Sequence, residues 1–182
     1  MLLHLSKDTP WNANYCTEDG QVIYKVESTT PSIGARHTKI FRIVAPKLDP
    51  TVETVDDTAF RDSFETVGEV NHHVIRTSRI KYNGKDESTA TFLRKGSWGL
   101  SRIFTGSDGV EYEWRLASRV PTLYVDGTET QVAAFHPNKV GNLKEPKNGS
   151  LEIFPAGQHM MDLIMVTFIY VENYRAMSVG SL

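Results

Sequence analysis

The chain has 182 residues, of which 40% are hydrophobic and 23% are charged, which is ordinary for one globular domain with a packed core. Its formal net charge is −2, so it lacks the global positive field of a nucleic-acid-binding protein, and no nucleic-acid partner is predicted. The single cysteine, Cys16, excludes an internal disulfide bond. The first residues, MLLHLSKDTP, do not resemble a signal peptide, so we expect an intracellular, cytoplasmic protein.

Short segments of alternating polarity, separated by turn sequences, predict an antiparallel meander. The clearest alternation places Tyr112 and Trp114 on one face and Glu113 on the other. In chain order, strands are predicted at residues 2–5, 22–27, 39–44, 65–71, 74–82, 89–93, 102–105, 111–116, 123–125, 131–136 and 151–153. Asn-Gly or Asp-Gly pairs at 19–20, 83–84, 108–109, 126–127 and 148–149 predict tight hairpin turns.

One acidic segment interrupts this rhythm. Asp49, Glu53, Asp56, Asp57 and Asp62 are clustered among threonines and follow Pro46. The segment lacks the ligand spacing of a calcium-binding loop. We therefore predict a single domain over residues 1–182, with a solvated acidic loop insertion at about residues 46–64.

The last segment is the only apolar run long enough for a sustained helix. From Met160 to Val171 only Asp162 and Thr167 are polar, so a helix here is apolar on every side and must be surrounded. A membrane span needs about 18 to 20 apolar residues, so no transmembrane segment is predicted and the protein itself should surround the helix. The sequence thus predicts a mainly β fold, a closed antiparallel β-barrel around a central hydrophobic C-terminal α-helix.

Several segments carry a family resemblance. They are Trp11-Asn12, VIYKVE at 22–27, SRIFTG at 101–106 followed by Asp108-Gly109 and Tyr112-x-Trp114, LEI at 151–153, and HMMDLI with VTF at 159–164 and 166–168. The chain resembles a domain-of-unknown-function family of mushroom-forming (basidiomycete) fungi with a tubby C-terminal-like fold. The resemblance implies a closed barrel with a hydrophobic helix in its lumen. Relatives by fold include phosphoinositide-binding tubby domains and phospholipid scramblases, but their functional motifs are not matched here, so the resemblance implies no activity.

Motifs of catalysis and cofactor binding are absent from the sequence. Serine hydrolase elbows, phosphate loops and dinucleotide fingerprints do not occur, so catalytic residues stay unassigned and no cofactor is predicted. His72 and His73 suggest a metal pair, but adjacent strand residues project to opposite faces, so no metal site is predicted. His159 and Asp162 would meet on one helix face, although a carboxylate at a helix start is explained by the helix dipole.

Basic residues give the functional hypothesis. One group contains Arg36, His37, Lys39 and Arg42, and another contains Arg94, Lys95, Arg102 and Arg115. Arginine makes bidentate contacts with phosphate, so an anion-binding or lipid-binding site is predicted from Arg36, Lys39, Arg42, Arg102 and Arg115. The opposing interpretation is that these side chains lie on solvent-facing strand faces beside acidic neighbours.

The sequence therefore predicts a non-enzymatic binding or adaptor module, peripheral to a membrane if its ligand is a phosphoinositide or another phosphorylated or lipid molecule. One alternative is a small biosynthetic enzyme, a cyclase or isomerase, with a small-molecule pocket at the barrel rim. Another is a protein-interaction scaffold that uses exposed aromatic residues such as Trp11 and Trp98, although the sequence names no protein partner. A basic concavity favours the lipid ligand, a deep apolar pocket the enzyme, and a flat aromatic patch the scaffold.

Overall fold

The computed structural model describes residues 1–44, 63–96, 101–116, 120–138 and 148–179. Within these residues the chain forms thirteen strands, a one-turn helix and a long C-terminal helix. The strands are β1 (Leu2–Leu5), β2 (Asn14–Cys16), β3 (Val22–Ser32), β4 (Ala35–Val44), β5 (Ser63–His73), β6 (Arg79–Tyr82), β7 (Lys85–Ser88), β8 (Arg94–Lys95), β9 (Ser101–Thr105), β10 (Glu111–Arg115), β11 (Thr122–Val125), β12 (Gln131–His136) and β13 (Ser150–Ile153). The helices are α1 (Thr89–Phe92) and α2 (Met161–Val179), and 3₁₀ turns span Pro10–Asn12 and Pro155–Met160.

The strands form one antiparallel sheet. Their spatial order is β7-β6-β5-β4-β3-β2-β1-β13-β12-β11-β10-β9-β8. Strands consecutive in sequence are therefore paired, except β7 and β8, and β1 joins the two halves by pairing with β13. The edge strands β7 and β8 are consecutive in the chain and flank α1. No hydrogen-bonded ladder joins β7 to β8 among the described residues, so the sheet is not closed by strand pairing.

The C-terminal helix α2 lies in the hydrophobic core, as its apolar sequence predicts. Every residue from Leu163 to Asn173 is buried. The ring of Phe168 is contacted from three separate strands, by Tyr15 on β2, Trp114 on β10 and Phe135 on β12, at ring-centre distances of 6.5, 6.0 and 5.0 Å. Among the described residues, no helix has the length and apolar character needed to cross a membrane.

Close packing of α2 against the sheet depends on a glycine. A Cβ added at Gly68 on β5 would lie 2.7 Å from the carbonyl oxygen of Lys81 and 2.8 Å from Cγ2 of Val166 on α2. Both distances are far below van der Waals contact, so a side chain here would push the helix or the neighbouring strand away. The register of β5 with β6 and the position of α2 are therefore coupled at this glycine.

Two strand predictions are wrong in part or in full. The segment predicted as a strand at 89–93 begins with α1, because Oγ of Ser88 accepts a hydrogen bond from the N–H of Thr91 and caps a helical turn. The strand predicted at 74–82 begins only at Arg79, and residues 74–78 form a loop. Strands β2, β7 and β8 were not predicted, since β2 and β8 have only three and two residues, and β7, with the sequence KDES, is polar throughout and shows no alternation.

Four of the five predicted tight turns place a glycine at positive φ, namely Gly20, Gly84, Gly109 and Gly127. The turn predicted at Asn148-Gly149 is wrong, because β12 ends at His136 and the connection to β13 spans residues 137–149. Residues 46–62 of the predicted acidic insertion are not among the described residues. Its last two residues, Ser63 and Phe64, belong to β5.

Candidate functional site

The five residues of the predicted anion site are divided between the two ends of α2 and the outside of the sheet. Arg42 contacts Asp162 in the first turn of α2. Arg36, six residues earlier on β4, contacts Asn173 in the second half of the helix. Six residues of a strand span about 20 Å, so these two guanidinium groups cannot hold one small anion together.

Of the remaining three residues, Arg102 contacts Tyr174, the neighbour of the Asn173 that Arg36 contacts, whereas Lys39 and Arg115 lie elsewhere on the sheet. Lys39 is exposed on β4, between Arg36 and Arg42. Arg115 on β10 is paired with Glu113 and Glu129, each at 3.0 Å, and stacks 4.0 Å over the ring of Tyr124. The acidic pairing of Arg115 is what the opposing interpretation of the sequence expects. Arg94, from the second basic group, likewise pairs with Glu111 at 2.6 Å.

The sequence pattern suggests that Arg102 lies on a solvent-facing strand face, but in the structure this side chain is buried. Its side chain is only 3% exposed, donates to the carbonyl of Ser101 at 2.8 Å and lies 4.4 Å over the ring of Tyr174. The physical reason is the register of β9 with β10, in which Arg102 stands opposite Trp114. Directly opposed residues share a face of an antiparallel sheet, and Trp114 faces the core.

At the N-terminal end of α2, Asp162 is fixed by two donors from the sheet. The hydroxyl of Tyr24 donates to Oδ1 of Asp162 at 2.7 Å, and Nη1 of Arg42 donates to Oδ2 at 2.6 Å. Burial and the hydrogen bond to Asp162 raise the pKa of Tyr24 far above its ordinary value. The carboxylate likewise raises the pKa of Arg42. Asp162 therefore joins the helix to β3 and β4, a role beyond the dipole interaction predicted from its position.

His159 does not meet Asp162 on a helix face. It lies in the 3₁₀ turn before α2, and its Nε2 lies 3.1 Å from Oδ2 of Asp108 in the β9–β10 turn. The hydroxyl of Tyr112 donates to the same carboxylate oxygen at 2.7 Å. Asp108 thus holds the turn to the start of the helix, and this cluster is explained by local structure.

An open pocket of about 490 Å³ lies beside Asp162. Its charged lining comprises Arg42, Lys81 and Lys85 with Glu65, Glu69, Asp86 and Asp162. Much of this charge is paired within the protein, for example Lys81 with Glu69 at 3.3 Å and Arg79 with Asp86 at 2.7 Å. Burial raises the pKa of Glu69, but hydrogen bonds from His37 and Lys81 outweigh it and lower the pKa. The pocket is therefore neither a basic concavity nor a deep apolar cavity.

Arg36 lies in a cluster of polar and aromatic side chains against the C-terminal half of α2. Nη1 of Arg36 donates to Oδ1 of Asn173, and the guanidinium lies 4.1 Å over the ring of Trp11. His72 stands opposite Arg36 in the β4–β5 ladder and packs against the ring of Tyr170. Burial, followed by the charge of Arg36, lowers the pKa of His72 to about 4. His72 is therefore neutral at physiological pH, and Arg36 carries the charge of the cluster.

Next to this cluster, two connections of the sheet lie side by side. The β3–β4 turn has Ile33 and Gly34 at its centre, and the β5–β6 loop begins with Val74 and Ile75. The N–H of Val74 donates to the carbonyl of Gly34 at 2.9 Å, which holds the two connections together. We call residues 32–35 and 73–77 the apolar tip. Ile33 is 104% exposed, Ile75 96% and Val74 62%.

The surroundings of the apolar tip are basic. Residues 28–38 and 70–79 contain three arginines and three histidines but no aspartate or glutamate. Arg79 and His37 pair with Asp86 and Glu69 outside these segments, so Arg36 and Arg76 are the arginines of the two segments that have no carboxylate partner among the described residues. Arg76 is exposed and has no partner among the residues that the structure describes. Sequence reasoning missed this site because Val74 and Ile75 resemble the interior of a strand. The available signals were an isoleucine beside a turn glycine and the absence of acidic residues from both segments.

No curated protein and no solved structure matches this chain. A family model does match, and it spans residues 8–177. The matched region includes the Asp162 network, the 490 Å³ pocket and both connections of the apolar tip. Because the match extends over nearly the whole sequence, the chain belongs to the family of unknown function DUF6593.

Proposed function

We propose that the chain is a non-enzymatic binding module for a phosphate-bearing anionic ligand, and that the ligand binds at the apolar tip and its basic surroundings. The observation that carries the proposal is the absence of acidic residues from segments 28–38 and 70–79 in a chain whose net charge is −2. Arg36 and Arg76 are the cations of this surface. Neither has a carboxylate partner among the described residues.

Three other arginines of the described chain are less suited to the task. Arg42, Arg79 and Arg115 are held by carboxylates at 2.6, 2.7 and 3.0 Å. A ligand phosphate would have to displace these carboxylates, whereas at Arg76 it would displace only water. Each arginine near an anionic lipid surface contributes about 1 kcal/mol, so binding through the tip should be weak and strongly dependent on salt.

The alternatives find less support. An enzyme would need a free acid or base in a pocket, and the Asp162 carboxylate beside the 490 Å³ pocket is occupied by Tyr24 and Arg42. A scaffold with exposed aromatic residues would use Trp11 and Trp98. Trp11 is half-buried beneath Arg36, and Trp98 lies outside the described residues.

We also propose that the sheet forms a barrel of the tubby C-terminal-like kind, as the resemblance to the fungal family implies. Thirteen strands laid flat would separate the edge strands β7 and β8 by about 58 Å. Residues 89–93 connect these strands, and such a connection spans about 20 Å at most. This short connection and the contacts around Phe168 support a sheet curled around α2, with α1 between its edges.

Binding to anionic and neutral vesicles tests the proposed function. The wild-type protein should sediment with vesicles of phosphatidylcholine and phosphatidylserine at low salt, bind inositol hexakisphosphate in solution, and be released by added salt. Arg76→Glu should weaken both interactions several-fold. Lys85→Glu makes the same charge change at the opposite end of the β6–β7 hairpin and should bind like the wild type. No binding to either probe at low salt, or equal loss in both variants, would overturn the proposal.

A further inference from the structure

We propose that the apolar tip inserts into the interfacial layer of an anionic lipid bilayer. Ile33, Val74 and Ile75 enter the boundary of the acyl chains, and Arg76 and Arg36 lie at the level of the lipid phosphates. This inference rests on the proposed function. It adds that the phosphate belongs to a membrane lipid rather than to a soluble molecule.

The exposure of the three aliphatic side chains has no explanation within the fold. At 104%, Ile33 is as exposed as in an isolated extended peptide, and Ile75 at 96% is nearly so. Turn chemistry does not require an isoleucine, since the turn is set by Gly34 at φ +75°. The position before such a glycine is favourable for proline and for small polar residues. Ile33 therefore contributes to neither core nor turn.

The aliphatic side chains are presented as one surface. The N–H of Val74 donates to the carbonyl of Gly34 at 2.9 Å, and Ala35 pairs with His73 in the β4–β5 ladder. The recess between the two connections measures only about 230 Å³. Since backbone contacts hold both connections, the tip can enter a lipid layer without first becoming ordered, which avoids an entropic cost of binding.

The spacing of apolar and basic residues fits the interfacial layer. Arg36 follows Ile33 by three positions, a separation of at most about 10 Å along the chain, and Arg76 directly follows Ile75. Interfacial segments bury their apolar side about 5 to 10 Å into the boundary between headgroups and acyl chains. With the aliphatic side chains at that depth, both guanidinium groups would lie among the phosphates.

Charge favours a bilayer over a second copy of the chain. Two copies that met through their tips would bring Arg36 and Arg76 of one against the same residues of the other, and like charges in an interface oppose association. An anionic bilayer offers both an acyl layer for the aliphatic residues and phosphates for the cations. Combining an apolar contact with a basic patch is the usual requirement for stable attachment.

The test removes the apolar side chains and keeps the charges. The double variant Ile33→Ser, Ile75→Ser should bind phosphatidylserine-containing vesicles about 100-fold more weakly than wild type, because each inserted isoleucine contributes about tenfold or more. Binding to inositol hexakisphosphate should be unchanged. The melting temperature should also be unchanged, since both side chains are exposed.

Val110→Ser is the matched control. Val110 is another exposed β-branched residue, 41% exposed, in the turn beside His159 at the opposite end of α2. This variant should bind vesicles like the wild type.

Three outcomes would overturn the inference. One is full vesicle binding by the double serine variant while Arg76→Glu loses it, which leaves the proposed function intact with electrostatic attachment only. Another is equal loss of vesicle binding in Val110→Ser. The third is concentration-dependent self-association that the double serine variant abolishes while vesicle binding persists. Failure of the wild type to bind either probe would instead overturn the proposed function itself.

Discussion

The indole N–H of Trp114 donates a hydrogen bond to Oγ1 of Thr167 across 3.0 Å, and both residues are fully buried. Trp114 lies on β10 and Thr167 on α2, so this bond joins the sheet to the C-terminal helix. Oγ1 of Thr167 in turn donates to the carbonyl of Leu163 at 2.9 Å. Thr167, one of the two polar residues in the apolar run, is therefore the hydrogen-bond acceptor for a core tryptophan.

We expect Thr167→Val to reduce the free energy of unfolding by about 1 to 3 kcal/mol, because it leaves the indole N–H of Trp114 buried without an acceptor. Thr167→Ser keeps the hydroxyl and loses one methyl group, which should cost about 0.8 kcal/mol. Urea unfolding measures both changes. If Thr167→Val is as stable as the wild type, the hydrogen bond contributes nothing to stability.

The position of α2 gives a second prediction. Ile164→Asp places a carboxylate where the wild-type side chain is 0% exposed, and an unpaired buried charge costs several kcal/mol. This is comparable with the whole stability of a domain, so the variant should not fold. Ile75→Asp makes the same change at a residue that is 96% exposed and should melt like the wild type. Circular dichroism distinguishes the two, and cooperative melting of Ile164→Asp near the wild-type temperature would contradict the buried position.

The features predicted correctly from the sequence are those whose pattern is local. The helix α2 was predictable because its apolar residues occupy every side, and the inward face of β10 because Tyr112 and Trp114 alternate with charged residues. The helix α1 was not predictable in this way. TATFL reads as a short strand, and only the cap that Ser88 provides favours a helical turn. The prediction of a strand at Val74 and Ile75 was wrong for a similar reason, since the sequence of an apolar pair does not show whether the pair is buried or exposed.

The grouping of cations could not be derived from sequence, because it depends on register and on partners far away in the chain. Arg102 is buried since it stands opposite Trp114, and Arg42 is neutralised by Asp162, 120 positions later. The apolar tip depends on a contact between Gly34 and Val74 that no local pattern indicates. Proximity in sequence therefore does not indicate which cations the fold brings together.

The burial of Arg102 leads to a stability prediction. Arg102→Glu places a carboxylate beneath the ring of Tyr174 in a site that is 3% exposed, and we expect a loss of several kcal/mol. Arg115→Glu lies beside Glu113 and Glu129 near the surface and should cost about 1 kcal/mol or less. Urea unfolding of the two single variants tests the contrast. Equal losses would mean that the register of β9 with β10 is misassigned.

Acid sensitivity gives the last prediction, and its sign follows from His72. The pKa of His72 is about 4 in the folded protein and 6.5 for the unperturbed group. Between these values the unfolded chain binds a proton that the folded chain does not, so acidification favours unfolding. A pKa difference of this size destabilises the fold by about 2 kcal/mol between pH 7 and pH 5. This contribution to stability is present above pH 6.5 and is lost as the pH falls toward 4.

His72→Gln removes the titrating group from this buried position and should therefore show a smaller drop in unfolding free energy between pH 7 and pH 5 than the wild type. His73→Gln is the matched control, because it retains His72 and removes only the charge of His73, the smallest of the three causes that lower the pKa of His72, so it should keep most of the wild-type drop. Urea unfolding of the three proteins at both pH values measures the difference. If His72→Gln and the wild type lose equal stability on acidification, the fold does not prevent protonation of His72. That result would contradict the assignment of a neutral His72 beside Arg36.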